Sequence, residues 1–512
     1  MSKVAIFKDT AIYSVSTFVS QGLTVVLAIY IRNQLGPEAM GVWALLQIYL
    51  VYIAYFNLGI FGAVYREIPI LRGAGKEEKI VSLKNSAFSY VAISSTVASL
   101  LLVIGTFLFR EKLSDPFFYG LLSLAVSNVL QRANNYQIKI LITDKKFSLI
   151  SQFNLFSALS NFILVLFSVW FYKLYGLYLA TVFTYFLNYI YLRYRANLKF
   201  CFQWRKDEIR DLIRFGLPLV GLGLVTKLFY SLDKLIIVKF LGLSQLGIYT
   251  IATMAMSYMM VLPNMFHVVI YPRILERFGD AKDREGQKKY STMPVKFISL
   301  YFSFALGFIW ILGPYLCHLF LPKFVSGVPA LKALIIGGCF LSLFEQMNTI
   351  LLGHKRHLWT IPWMLGLSGI MFGIDAYFIG KGWGLLEVAS LSSAIYLTVY
   401  AAAAFMAWGP IFGRFKIVKE LFQVLFPIFI NVFILSILDK IWGEVTVVSL
   451  LIKMSIYFGV LIFSLRFLDR YFGERMSLVA LVQEVFRELK GGRISSNQGK
   501  QEESSLVQKE SL

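Results

Sequence analysis

Residues 214–273 read RFGLPLVGLGLVTKLFYSLDKLIIVKFLGLSQLGIYTIATMAMSYMMVLPNMFHVVIYPR. An apolar run carries three ionisable residues, Lys227, Asp233 and Lys234. A glycine-punctuated break from Leu241-Gly242 to Gly247 follows, and then a second apolar run. The same design occupies the chain from about Lys8 to Arg66. A shift of 206 positions lays Leu35, Gly36 and Gly41 on Leu241, Gly242 and Gly247. Tyr52 falls on Tyr258, Tyr65 on Tyr271, and the aromatic Trp43 on the aromatic Tyr249. The identities are few, but they sit at one turn and at matching helix ends. Two halves related by such a shift are what transporters with parallel repeats show.

The composition explains why these runs are so long. Of 512 residues, 57% are hydrophobic and 15% charged, with a mean hydropathy of +0.67. That much apolar surface exceeds what a soluble core buries, so the chain reads as an all-α integral membrane protein. Runs of about 20 apolar residues suit helices, whereas barrel strands would be about 10 residues long and alternating. The spacing predicts about fourteen spans: 10–31, 40–62, 85–109, 116–140, 147–171, 174–194, 215–240, 246–271, 294–320, 328–353, 358–380, 384–408, 417–437 and 446–467. The N-terminal apolar run is too long for a signal-peptide core and reads as an uncleaved first span.

The net charge of +21 does not point to nucleic acid in a chain of this kind. Lys and Arg concentrate in the connections after even-numbered spans, such as Arg72 to Lys84, Lys145–Lys146, and Arg193 to Arg214. With the N-terminus, that side carries roughly 30 basic residues against roughly 8 on the other, an asymmetry that puts both termini of a multi-pass protein in the cytoplasm. Arg32, Lys173 and Lys239 belong to the sparse side. Its loops are short and leave no room for an outward catalytic domain.

The chain divides into a six-helix lobe at 1–198, a charged cytoplasmic linker at 199–212 and a second six-helix lobe at 213–410. Two further spans occupy 411–467. Residues 468–490 contain an amphipathic segment suited to the membrane interface, and 491–512 form a polar tail expected to be disordered.

Charges inside spans cost a few kcal/mol each on insertion scales, so they face a cavity or a partner. Lys227 lies about 20 Å along its helix from Arg214, near the midplane. Lys227, Ser231 and Lys234 share one helix face at i, i+4 and i+7. Lys234 either joins that face's cavity or snorkels, and Asp233, pointing elsewhere, either titrates or pairs with a neighbouring span. The fourth span crowds Asn128, Gln131, Arg132, Asn134, Asn135 and Lys139. With Gln21, Asn154 and Asn161 it would line a polar vestibule. Glu345 and Asp375 are candidate proton or sodium sites, with hydrogen bonding between spans as the alternative.

No acid lies well inside the first six spans. Basic groups without acids favour an anionic ligand, and a pyrophosphate group matches clustered Lys and Arg. No GxxxxGK[ST] loop or Ser/His/Asp arrangement is present, so the sequence points away from an enzyme. His354 and His357, flanking Lys355 and Arg356, make a poor metal site, and no other metal or cofactor motif occurs. Cys201, Cys317 and Cys339 show no pairing logic and read as buried small apolar residues.

LGPEAMGVWAL at 35–45 and RFGLPLVGLG with YSLDKLIIVKFLGLSQLGIY across the seventh span resemble the polysaccharide-flippase (Wzx-type) branch of the multidrug/oligosaccharidyl-lipid/polysaccharide exporter superfamily. The resemblance covers nearly the whole chain. It implies two six-span lobes around a V-shaped cavity of alternating access, a basic site for an undecaprenyl-diphosphate-linked oligosaccharide, and two last spans guiding the lipid tail. It implies Lys227 as a headgroup ligand, Arg132 as its partner, and proton or sodium exchange as the energy source. Polysaccharide polymerase and chain-length regulator are the implied protein partners, beside membrane lipids. Lipid II flippases of the same fold carry arginines in the first span, where this chain has Gln21. Drug exporters carry acids in a lobe cavity, so the acid-free first half argues against a cation-coupled exporter, while Asp233, Glu345 and Asp375 keep that alternative open. A membrane polysaccharide polymerase would need a large outward loop.

Overall fold

A computed structural model of the chain describes residues 3–198, 200–264, 284–354, 356–443 and 446–472. The segment at 475–490 and the tail beyond it lie outside the described residues, as does the basic stretch at 265–283. The helices are α1 Lys3–Ile53, α2 Ile60–Gly73, α3 Glu77–Leu108, α4 Asp115–Thr143, α5 Phe147–Arg195, α6 Lys206–Phe240 and α7 Leu243–Met259. They continue as α8 Arg284–Phe320, α9 Val328–Gly353, α10 Thr360–Ile379, α11 Leu385–Trp408, α12 Arg414–Ile441 and α13 Val447–Phe472. No strand occurs among the described residues. The physical reason is the one the apolar runs imply: in hydrocarbon each backbone group must find its partner within its own segment. Nine helices among the described residues are long and apolar enough to cross a membrane. The fourth span, α4, is not one of them, because its amides, Arg132 and Lys139 lower its hydropathy.

Two helices each contain two predicted spans. Unbroken, the 51 residues of α1 would extend about 77 Å, more than twice a hydrocarbon core. The break is Gly36, at φ 75° and ψ 179°, which opens the left-handed side of the map to the chain and is followed by Pro37. In α5 the break is Lys173 at φ 49°. Beside it, a Cβ on Gly176 would lie 1.9 Å from the Ser168 carbonyl oxygen, so the two limbs meet backbone to backbone. Turns this tight explain why the sparse-side connections are so short.

The span predicted at 40–62 is interrupted. Helix α1 ends at Ile53, residues Ala54–Asn57 form a 3-10 turn, and Leu58 (φ 48°) and Gly59 (φ 77°) are left-handed. A Cβ on Gly59 would sit 2.4 Å from the Gly216 carbonyl oxygen, and one on Gly216 would sit 2.5 Å from that of Leu58. The chain turns here to press one glycine on another, and α2 then buries Ile60, Ala63, Val64 and Ile68 against α3 and α6.

The repeat read from the sequence is a reciprocal contact in space. Pro37 and Leu243 are equivalent positions, as are Gly41 and Gly247. A Cβ on Gly41 would meet the Leu243 carbonyl oxygen at 1.8 Å, and one on Gly247 would meet that of Pro37 at 1.7 Å. Gly242, the counterpart of Gly36, has φ 92°. Position i touches j while the equivalent of j touches the equivalent of i, the signature of a local twofold. Close approach through small residues is how helices associate where solvent supplies no hydrophobic drive.

The described chain forms two compact units. The first comprises residues Met1–Met254, Leu316–Leu334 and Leu358–Ile395, and the second the remainder. In the first, the stretch after α5 is held against α3. Phe200 stacks on Phe88 with ring centroids 4.8 Å apart, and the Gln203 N–H donates to Ser89 Oγ at 2.9 Å. Glu208, in the first turn of α6, accepts from Ser82 and Ser86 at 2.6 Å each. Cys201 is exposed, whereas Cys317 and Cys339 are buried. The expectation of three buried thiols fails at Cys201, which lies on this surface strap. In the second unit, buried charges pair. Lys296 meets Glu420 at 3.1 Å with both side chains 8% exposed. Asp439 accepts from Lys453 at 2.8 Å and from Trp310 Nε1 at 2.7 Å.

Two predictions follow from this packing. Gly41→Ala or Gly247→Ala forces backbone apart and should cost at least about 1–3 kcal/mol, seen as a lowered unfolding temperature of the purified protein in detergent. Wild-type stability in both variants would contradict the close approach. Lys296→Met should cost about 3–5 kcal/mol by stranding a buried carboxylate, and adding Glu420→Leu should restore much of the loss. Equal stability of the single and double variants would show that the pair is not energetically coupled.

Candidate functional site

Helix α6 sets the site. Its 3.6-residue period brings Lys227, Ser231 and Lys234 to one face, and all three line a single cavity of about 310 Å³. The opposing wall comes from α1, through Ala44, Gln47, Ile48, Val51 and Tyr52. Helix α7 closes it with Leu246, Tyr249, Thr250 and Thr253. The shift of 206 lays Ala44 on Thr250 and Gln47 on Thr253, so the cavity opens where the two copies of the repeat face each other, beside the Gly41–Gly247 contact.

Hydrogen bonds hold the walls in register. Ser231 Oγ lies 2.7 Å from the Lys227 carbonyl oxygen and 2.7 Å from Tyr52 Oη. With its single proton given to the carbonyl, Ser231 accepts from Tyr52 and ties α6 to α1. Arg32, expected among the loop charges, is instead 7% exposed. Its guanidinium donates to the Ala28 carbonyl at 3.0 Å and to that of Thr250 at 3.3 Å. It links α1 to α7 just before the Gly36 break.

The ionisable groups of α6 part company. Asp233 is 2% exposed and accepts from Tyr249 Oη at 2.7 Å and from the Lys234 N–H at 2.8 Å. Its carboxylate lies inside the wall and is not among the groups lining the cavity. Lys227 is exposed to the cavity, with Nζ 6.0 Å from the Tyr230 ring centroid, and Lys234 Nζ reaches the Tyr230 carbonyl at 3.4 Å. No carboxylate lines the cavity among the described residues. Two ammonium groups with no acid beside them attract an anion, and a Lys offers a point charge rather than a fixed fork.

The other predicted residues lie apart. Gln21 lines a second cavity of about 470 Å³ together with Asn154 and Asn161, and Gln47 borders both cavities. Arg132, 9% exposed, reaches neither. Its guanidinium donates to Gln131 Oε1, Gln131 Nε2 donates to Tyr185 Oη at 2.7 Å, and Tyr185 lines the second cavity. Arg132 thus stands two hydrogen bonds behind the wall. Asp375 is fully buried in α10, within electrostatic reach of Asp233, and neither of its carboxylate oxygens has a hydrogen-bond partner among the described residues. Glu345 belongs to the second unit and is half-buried in α9. Sequence reasoning missed Arg32, Gln47 and Tyr52. Their signal was their place in the first copy of the repeat, on the two sides of Gly36.

The Tyr249–Asp233 bond supplies a direct check. Tyr249→Phe removes a donor from a buried carboxylate and should cost about 1.5–3 kcal/mol, measured as reduced unfolding temperature, and an unchanged value would show the bond to be energetically idle.

Comparisons with known proteins bear on the family and the fold. The family model described as "Polysaccharide biosynthesis protein" matches residues 6–278. The teichuronic acid biosynthesis protein TuaB of Bacillus subtilis is 23% identical over 198 residues, covering 38% of this chain, and the match spans 40% of that relative's length. Among solved structures, an inward-facing multidrug resistance MATE family transporter of the MOP superfamily superposes with a TM-score of 0.64 at 14% identity, covering 78% of this chain and 96% of that one. A MOP superfamily transporter from Pyrococcus furiosus gives 0.59 at 13% identity over 79% and 95%. The Vibrio cholerae MATE transporter VcmN gives 0.57 at 14% over 79% and 95%. The likeness to these transporters is one of fold. Taken with the helical repeat and the apolar spans, the match over residues 6–278 shows that this chain is a multi-pass membrane protein of the polysaccharide biosynthesis protein family, with a fold like that of the solved MOP superfamily transporters.

Proposed function

We propose that the protein is a flippase that carries an undecaprenyl-diphosphate-linked oligosaccharide repeat unit across the bacterial cytoplasmic membrane for surface polysaccharide synthesis. The observation that carries this reading is the acid-free pair Lys227 and Lys234 in one cavity between the two copies of the repeat. A diphosphate is doubly anionic and needs compensation only while its headgroup crosses the apolar layer. Two ammonium groups near mid-span supply that compensation. The family's role in polysaccharide biosynthesis supports a sugar-bearing lipid as the cargo.

Transport by alternating access follows from the paired repeats, with the lobes at 1–198 and 213–410 rocking about the glycine seam and the spans at 411–467 serving the lipid tail. Basic loops keep both termini in the cytoplasm. Asp375, buried next to Asp233, is the group best suited to take up a proton or sodium ion, with Glu345 as a further coupling candidate. Polymerase and chain-length regulator would receive the cargo outside. A drug exporter of the same fold would need an acid facing its cationic cargo. None lines the two-lysine cavity among the described residues.

In a deletion strain complemented with Lys227→Ala, export of surface polysaccharide should fall about tenfold or more, the worth of one charge-assisted contact. Lipid-linked repeat units should accumulate at the inner leaflet, with protein abundance unchanged. Full export by a Lys227→Ala/Lys234→Ala double variant would remove the lysine cavity from the mechanism.

A further inference from the structure

The second cavity has a chemistry the lysines do not explain. Three helical faces turn polar residues into it at heptad spacing. They are Thr17, Ser20, Gln21 and Thr24 on α1; Asn154, Ser157 and Asn161 on the first limb of α5; and Thr181, Thr184, Tyr185 and Asn188 on its second limb. Not one of these carries a charge. The volume, about 470 Å³, falls within the range that holds small ligands.

Polar residues between membrane helices commonly bond to one another and so act as glue. Some of that occurs here: Asn188 Nδ2 donates to Ser157 Oγ at 2.9 Å. Yet Asn188 is only 4% exposed, and its Oδ1 has no hydrogen-bond partner among the described residues. An amide acceptor buried without a donor is costly unless a ligand or water completes it. Self-satisfied glue would leave neither that acceptor nor the empty volume.

Amides and hydroxyls each donate and accept, which is what sugar hydroxyls require of a partner. The cavity also presents the indole of Trp43, whose ring is braced by Tyr178 with centroids 6.2 Å apart. An indole face offers the apolar contact that the C–H face of a pyranose seeks. Gln47 borders this cavity and the two-lysine cavity alike, so a molecule with a diphosphate at the lysines would extend its next group past Gln47.

We propose that this amide-lined cavity is a subsite for the uncharged sugar attached directly to the diphosphate. The subsite rests on the function proposed above, and it adds a selectivity: neutral, hydroxyl-rich sugars at the linked position are accepted, and sugars bearing a carboxylate there are disfavoured for want of a cationic partner.

The test uses the full-length protein in nanodiscs. Two probes are compared, undecaprenyl diphosphate and the same lipid bearing a neutral trisaccharide. Wild type should bind the trisaccharide-bearing lipid more tightly. Asn161→Ala and Asn154→Ala, both partly exposed positions, should each weaken binding of that lipid about tenfold. Binding of the bare diphosphate should stay within about twofold. Asn188→Leu should do the same if it folds, and the two alanine variants decide the matter if it does not. Lys227→Ala should weaken both probes. Equal effects of Asn161→Ala and Asn154→Ala on both probes, or no effect on either, would overturn the subsite while leaving the lysine cavity intact. If Lys227→Ala spares both probes, the flippase reading loses its diphosphate contact, and selective loss of the trisaccharide lipid in Asn161→Ala would still support the subsite.

Discussion

The first compact unit depends on a place where two backbones touch. At Gly41 and Gly247 there is no room for a methyl group between one helix start and the carbonyl of the other. Apolar side chains gain little by leaving lipid for one another, so association of these helices rests on close packing and hydrogen bonds. The glycine seam supplies the first. Around it gather the second: Arg32 to the Thr250 carbonyl, and Tyr52 to Ser231. Both cross from the first copy of the repeat to the second. The two-lysine cavity is the space this seam leaves open further along the same helices.

Electrostatics then sorts the charges of α6. Asp233 and Lys234 are neighbours in sequence, and in isolation they would cancel. The helix turns them to different sides, and Tyr249 takes the carboxylate. Burial of an ion costs far less once its hydrogen bonds are made. The lysines project into the cavity, and that carboxylate does not. The second unit handles its charges differently: Lys296 with Glu420 and Lys453 with Asp439 are paired within the protein. Charges used for structure are matched there, whereas those facing the lysine cavity have no acid opposite them.

Much of this was legible beforehand because it depends on near neighbours. The face shared by Lys227, Ser231 and Lys234 follows from helical period, and the polar wall of Gln21, Asn154 and Asn161 from polar residues recurring in apolar runs, whereas the fourth span expected beside them, α4, supplies no residue to that cavity among the described ones. Arg132 was harder. Its position among amides suggested a ligand, but Gln131 and Tyr185 stand between it and the open space. Arg32 looked like a loop charge because it precedes a turn, and only the packing of α7 gives it an acceptor 218 positions away. The break in the second span was hidden for the same reason, since Gly59 is shaped by Gly216.

The sequence alone determined that the chain is helical, spans a membrane many times and contains a repeat, because apolar run length, loop charge and periodicity are local quantities. It also determined which face of α6 carries the lysines. Tertiary structure decided which charges remain available. An ion's role is settled by the groups that surround it, and here those groups range from the next helix, as Tyr249 is for Asp233, to one 218 positions away, as Thr250 is for Arg32, brought together beside a backbone contact that only glycine permits.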